Sequence, residues 1–257
     1  MMMMQKVKKD NVKIRSRRTS AKASPQASAE FFKENKYVAF SKVIDGQILD
    51  FFYSYIQIFA DRFEIVGKHL PKYYNEHEHG WIYPPGWPAA GSFSKYGDML
   101  AETLLLSIKK NIEDRIGLEL IPTYGFFRLY KKGNDLELHK DRNSCEISLS
   151  LCIGYEEGEQ WPLYINETPI YQEPGDMVIY RGCEVEHYRE PYEGKQQAQV
   201  FLHYVDKNGP YGGEEFIYDG RPFVGLPVVY VDWIYEGTPF FEGEKIFNKK
   251  QYDENTE

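Results

Sequence analysis

From residue 121 onward, apolar and polar side chains alternate in short runs separated by turn residues, and this pattern constrains the fold more than any other feature of the chain. "TYGFFRLY", "LELHKD", "CEISLSLCI", "WPLYIN", "TPIYQE", "DMVIYR", "EVEHYR" and "QAQVFLHYV" are eight strand candidates. A period of two sends successive side chains to opposite faces of a sheet, so the two faces of each run meet different surroundings. In the last run Ala198, Val200, Leu202 and Tyr204 share an apolar face, while Gln197, Gln199, Phe201 and His203 share the other. A polar face inside a closed sheet needs hydrogen-bonding partners, and a ligand pocket supplies them. Short strands at this spacing predict a jelly roll over about residues 121 to 206.

Helical periodicity comes earlier. "SAEFFKENKYVAFSKVID" predicts a short helix, a strand and a turn. Asp45 can cap a helix whose stripe is Leu49, Phe52, Ile56 and Phe59; Asp98 can cap a second, with Leu100, Leu104, Ile108 and Ile112 as its stripe and Gly117 as its end. Between them, residues 71 to 97 are rich in Pro, Gly and aromatics and predict a long loop, with Trp81, Tyr83 and Trp87 as a lid or as pins to the core. The fold class is therefore α+β, with N-terminal helices packed against the jelly-roll core.

Charge divides the chain. Residues 1 to 29 carry eight Lys/Arg against Asp10, a net of +7, which leaves −15 on residues 30 to 257 since the whole chain is −8. The first segment lacks aromatics and predicts a solvated tail; the rest predicts one domain, with residues 207 to 257 as a wrapping extension. So acidic a folded part is a poor match for nucleic acid and favours a small-molecule or peptide substrate. No apolar run approaches ~20 residues and no signal-peptide pattern opens the chain, so a cytoplasmic protein that does not enter membranes is expected. Cys145, Cys152 and Cys183 are odd in number and not spaced for metal, which predicts buried reduced thiols.

"LELHKD" places His139 and Asp141 on one face of a strand, and His187 follows 46 residues after Asp141, on a strand beyond "PGDMVIYRG". His-x-Asp alone is a weak signal, but two imidazoles and one carboxylate on stiff strands form the ligand set of non-haem Fe(II) oxygenases. A rival pair, His77 and His79 in "NEHEHG", predicts only a solvated surface run. His203 is expected as a pocket wall, and Arg189 with Glu190 as a rim salt bridge.

"LHKD", "PGDMVIYRG" and "EHYREPYEGKQQAQVFLHYVD" resemble the core of the Fe(II)/2-oxoglutarate-dependent dioxygenases, on the prolyl-4-hydroxylase and phytanoyl-type branch. The resemblance implies a double-stranded β-helix with His139, Asp141 and His187 as iron ligands. It also implies Fe(II), 2-oxoglutarate as cosubstrate and O2, admits ascorbate, and points to hydroxylation with release of succinate and CO2. One departure stands out. The family anchors the distal carboxylate of 2-oxoglutarate with an Arg or Lys on the strand after the second His, and here that position falls on Gln197 or Gln199. A carboxylate prefers a charged donor, so Lys195, Arg142 and Arg128 are the candidate cations, with Tyr130 as a further cosubstrate contact. Two alternatives stay open: a mononuclear iron oxygenase that does not use 2-oxoglutarate, and a non-catalytic cupin-like binding protein.

Overall fold

In the computed structural model, which describes residues 24–156 and 160–226, the alternating runs become the walls of a barrel. In chain order the elements are α1 (Pro25–Asn35), β1 (Tyr37–Phe40), α2 (Gly46–His69), α3 (Glu76–His79), β2 (Trp81–Ile82), β3 (Phe93–Tyr96) and α4 (Met99–Ile116). Then come β4 (Leu120–Lys131), β5 (Leu136–His139), β6 (Ile147–Glu156), β7 (Leu163–Ile165), β8 (Thr168–Ile170), β9 (Met177–Tyr180), β10 (His187–Arg189) and β11 (Gln196–Asp206). All eight strand runs anticipated after residue 120 are present. The larger sheet has the order β1-β9-β6-β11-β4-β3-β2 and the smaller β5-β10-β7-β8, and every pairing is antiparallel. This is a double-stranded β-helix with few helices.

The pleat of the larger sheet separates two cores. Ile147, Leu149 and Leu151 of β6 and Val200, Leu202 and Tyr204 of β11 join Phe52, Ile56 and Leu105 in the layer beneath the helices. The opposite faces of the same strands look into the barrel, where Tyr130, Val178, Tyr180 and Phe201 pack with Trp161, Ile165 and Ile170 of the smaller sheet and its loops. One alternating sequence thus serves an oily helix–sheet interface and a more polar interior.

Three expectations need revision. Ser24 caps α1, so the helix begins inside the segment expected as a solvated tail; residues 1–23 and 227–257 lie outside the described residues. The anticipated loop 71–97 contains β3, which pairs with β4, because the alternating Phe93–Tyr96 run can bury Phe93 and Ser94 against that neighbour. In α4 the fully buried line is Ala101, Leu105, Ile112 and Ile116, while Leu104 and Ile108 flank it. Ala101 faces Gly125 so closely that a Cβ there would lie 3.1 Å from the helix backbone, and this small-residue contact rotates the helix onto the Ala101 line. Asp45 and Asp98 do cap α2 and α4, and Gly117 ends α4 in the left-handed conformation.

Candidate metal centre

The smaller sheet builds the site. β5 and β10 run antiparallel with His139 directly opposite His187, so two imidazoles project side by side, ring centroids 4.3 Å apart. Asp141 lies just past the end of β5, where its N–H donates to Gly182 O at 2.9 Å in the β9–β10 turn. That bond folds the carboxylate back between the rings. A Cβ at Gly182 would overlap Asp141 Oδ2 and crowd Ser148 Oγ, so the turn can approach only as glycine.

Hydrogen bonds fix the atoms that face inward. His139 Nδ1 is 2.7 Å from Glu137 O and His187 Nδ1 is 3.2 Å from Val185 O. A carbonyl only accepts, so each Nδ1 carries the proton and each Nε2 is turned to the centre. Ser148 donates to Asp141 Oδ2 at 2.7 Å, which leaves Oδ1 at 3.6 Å from His139 Nε2 and 3.5 Å from His187 Nε2. Burial alone would raise the Asp141 pKa, but hydrogen bonds from His139 and His187, made when those rings also carry a proton on Nε2, hold it well below the ordinary carboxylate range. Two ring nitrogens and an ionised oxygen, all within 4.8 Å of one another, are a donor set that a divalent cation fits. Among the described residues this is the only group of three or more His, Cys, Asp or Glu side chains so placed. His79, anticipated as part of a surface run, is instead buried beside Arg62 and the Asn75 carbonyl, because α3 turns it inward.

Behind the centre, His203 Nδ1 stands 3.0 Å from Ser148 Oγ; with the hydroxyl proton given to Asp141, the ring donates to Ser148. Burial pushes the His203 pKa down to about 4, so the ring is neutral at neutral pH, and its Nε2 is buried without a partner. Ser148 was legible as the inward residue of "CEISLSLCI", but its bond to Asp141 depends on a turn that sequence spacing does not place.

Deeper in the barrel the residues proposed from sequence separate. Gln197 lies opposite Tyr130 and Gln199 opposite Arg128 in the β11–β4 register, all four buried. Arg128 donates to Ser94 Oγ and Tyr130 Oη, both at 3.0 Å, and packs over the Tyr83 ring at 4.5 Å. Both side-chain polar atoms of Gln197 and the Nε2 of Gln199 have no hydrogen-bond partner. Lys195 and Arg142 point elsewhere. Lys195 precedes β11, where the strand has left the barrel, and pairs with Glu156 at 2.8 Å on the exposed rim. Arg142, just past Asp141, is held by Asp219 at 2.8 and 2.6 Å and by Ser144.

Arg189 is the residue that sequence spacing misassigned. Among the described residues it makes no salt bridge: it is 2 % exposed, on the inward side of β10 with His187, while Tyr188 turns outward to stack on Tyr164. The signal was present in the alternation His187–Tyr188–Arg189, which puts the His and the Arg on one face. Of the cysteines, Cys145 and Cys152 are buried free thiols, and Cys183 is half-buried.

No protein-family model matches the sequence, and no curated protein matches it. Solved structures do match the fold. A non-heme alpha ketoglutarate dependent carbocyclase from nogalamycin biosynthesis, SnoK, is 12 % identical over 81 % of this chain and 96 % of its own, with a TM-score of 0.56. A 2OG-Fe(II) oxygenase family oxidoreductase from Burkholderia pseudomallei is 13 % identical over 73 % and 94 %, with a TM-score of 0.51. HygX from Streptomyces hygroscopicus, solved with nickel and 2-oxoglutarate bound, is 11 % identical over 72 % and 89 %, also at 0.51. Sheet order, barrel interior and these matches agree: the chain has the double-stranded β-helix fold of the 2-oxoglutarate-Fe(II) oxygenases.

Proposed function

We propose that the protein is an Fe(II)- and 2-oxoglutarate-dependent oxygenase that hydroxylates a small-molecule or peptidyl substrate. The observation that carries this reading is the His139–Asp141–His187 group, with both Nε2 atoms and Oδ1 turned to one point. His139 and His187 through Nε2 and Asp141 through Oδ1 would hold Fe(II), the ligand set that suits a non-haem iron oxygenase. With 2-oxoglutarate bound, such an iron supplies the oxidative chemistry: oxygen transfer coupled to decarboxylation to succinate and CO2.

The chain's own residues do the positioning. The carbonyls of Glu137 and Val185 lock the ring orientations, Ser148 and Gly182 lock the carboxylate, and His203 steadies Ser148 from behind. Tyr124, Phe126 and Phe201 line the interior with stacked aromatic rings. Partner choice rests on charge: −15 on residues 30 to 257 supports a small molecule or peptide over nucleic acid.

Anaerobic addition of Fe(II) and then 2-oxoglutarate to the purified protein tests the reading. The visible metal-to-ligand charge-transfer band should form with wild type and be absent with His139→Ala. Iron binding without a band would leave a metal protein of another kind, and absence of iron binding would remove the oxygenase reading altogether.

A further inference from the structure

A buried guanidinium without a counter-charge is expensive, since the cost of removing it from water is several kcal/mol unless an anion meets it. Among the described residues Arg189 is in this condition. Its Nη1 donates to the Trp161 carbonyl at 2.7 Å and its Nη2 to Gln172 Oε1 at 3.1 Å, both neutral acceptors. Its Nε is buried with no acceptor, and its planar group packs over the Trp161 ring at 4.7 Å. Among the described residues no carboxylate comes within ion-pair distance of it.

The unsatisfied atoms around it belong to one region. Gln197 and Gln199, with three unpartnered buried polar atoms between them, face the barrel from β11 opposite Tyr130 and Arg128. Gln199 also lies opposite Cys152 on β6, and the Arg189 charge acts on Cys152. Interior polar groups left without partners mark a place built for a polar ligand. The distance along β10 suits a particular one. His187 and Arg189 are two residues apart on the same face, ~6.6 Å at ~3.3 Å per residue. That is of the order of the four C–C bonds, each ~1.5 Å, that separate the carboxyl carbons of 2-oxoglutarate.

We infer that Arg189 anchors the distal carboxylate of 2-oxoglutarate, with Gln197 and Gln199 as neutral donors beside it, so that the cation comes from the strand bearing the second histidine instead of from β11. The inference rests on the oxygenase reading above. Arg128 is the competing cation, but of the two guanidinium groups only that of Arg189 leaves a buried N–H, its Nε, without an acceptor, while Arg128 is engaged by Ser94 and Tyr130 and packed over Tyr83.

The test crosses a side-chain change with a ligand change. Protein loaded anaerobically with Fe(II) is titrated with 2-oxoglutarate and with 2-oxovalerate, the same five-carbon 2-oxo acid without the distal carboxylate, and dissociation constants are read from the charge-transfer band and by calorimetry. Wild type should prefer 2-oxoglutarate by roughly 100-fold, the scale expected for a buried charge-assisted pair. Arg189→Gln should lose that preference while leaving Fe(II) and 2-oxovalerate binding unchanged. Adding Gln197→Arg to Arg189→Gln should restore the preference in part. If Arg189→Gln is too unstable to hold Fe(II), Arg189→Lys, which keeps charge without the fork, should weaken 2-oxoglutarate alone by roughly tenfold. A full preference in Arg189→Gln or Arg189→Lys, or its loss only in Arg128→Gln, would overturn the assignment and leave the oxygenase reading intact. No band in wild type with either acid would overturn both.

Discussion

Gly182 shows how one atom's absence sets the candidate metal centre. Its neighbours Asp141 Oδ2 and Ser148 Oγ occupy the volume a methyl group would need, and its carbonyl holds the Asp141 N–H. Gly182→Ala should therefore displace the carboxylate and weaken Fe(II) binding by roughly 10- to 100-fold, the range seen when outer partners of metal ligands are disturbed. Circular dichroism should stay native, and unchanged iron affinity would show that the turn does not hold Asp141. At this scale the ligand types were legible from His-x-Asp and a distant His, because strand alternation fixes which side chains share a face. The anchor was not. Lys195 looks suitable by spacing, yet it sits where β11 has left the barrel, and Arg189 looks like a rim residue until β10 is seen paired between β5 and β7.

Among the elements, α4 separates periodicity from packing. Its stripe Leu100, Leu104, Ile108 and Ile112 obeys helical spacing, but Ala101 and Leu105 are the apolar residues with no exposure. A stripe read from sequence says which half of a helix is apolar; close contact of Ala101 with Gly125 decides which line sits deepest. Leu105→Ala should cost about 2–5 kcal/mol by urea denaturation, as for other buried Leu deletions. Leu106→Ala, at 37 % exposure, should stay within about 0.5 kcal/mol of wild type. Equal costs would mean that the helix is seated differently. β3 was missed for a related reason: a four-residue strand inside a Pro- and Gly-rich stretch gains its stability from pairing with β4, which no local window contains.

For the molecule as a whole, the stretch after β11 is tied back to the barrel by two charged clusters. Arg221 and Glu102 pair with no exposure of either side chain, joining this stretch to α4. Arg142 and Tyr96 both bind Asp219, joining it to the loop that carries Asp141. Burial opposes ionisation of Asp219, but the Arg142 guanidinium outweighs it and holds the carboxyl down to about 2. A depressed folded-state pKa contributes stability that is complete above the unfolded value of ~3.9 and is lost as pH falls through about 2. With Arg142 half-exposed, screening reduces that contribution to about 1–2 kcal/mol. Asp219→Asn should therefore lower the urea midpoint at pH 5, and its deficit should shrink as pH falls from 4 towards 2; a deficit independent of pH would show that the charge is not what holds the contact. The sequence by itself determined the strand alternation, the capped helices, the α+β class and the His139–Asp141 pair on one strand face, because each depends on residue types a few positions apart. Only the tertiary structure decided which buried cation faces the interior, how α4 is seated and what holds Asp141, because each depends on which strand or turn lies against another, and that is settled by packing across many residues of chain.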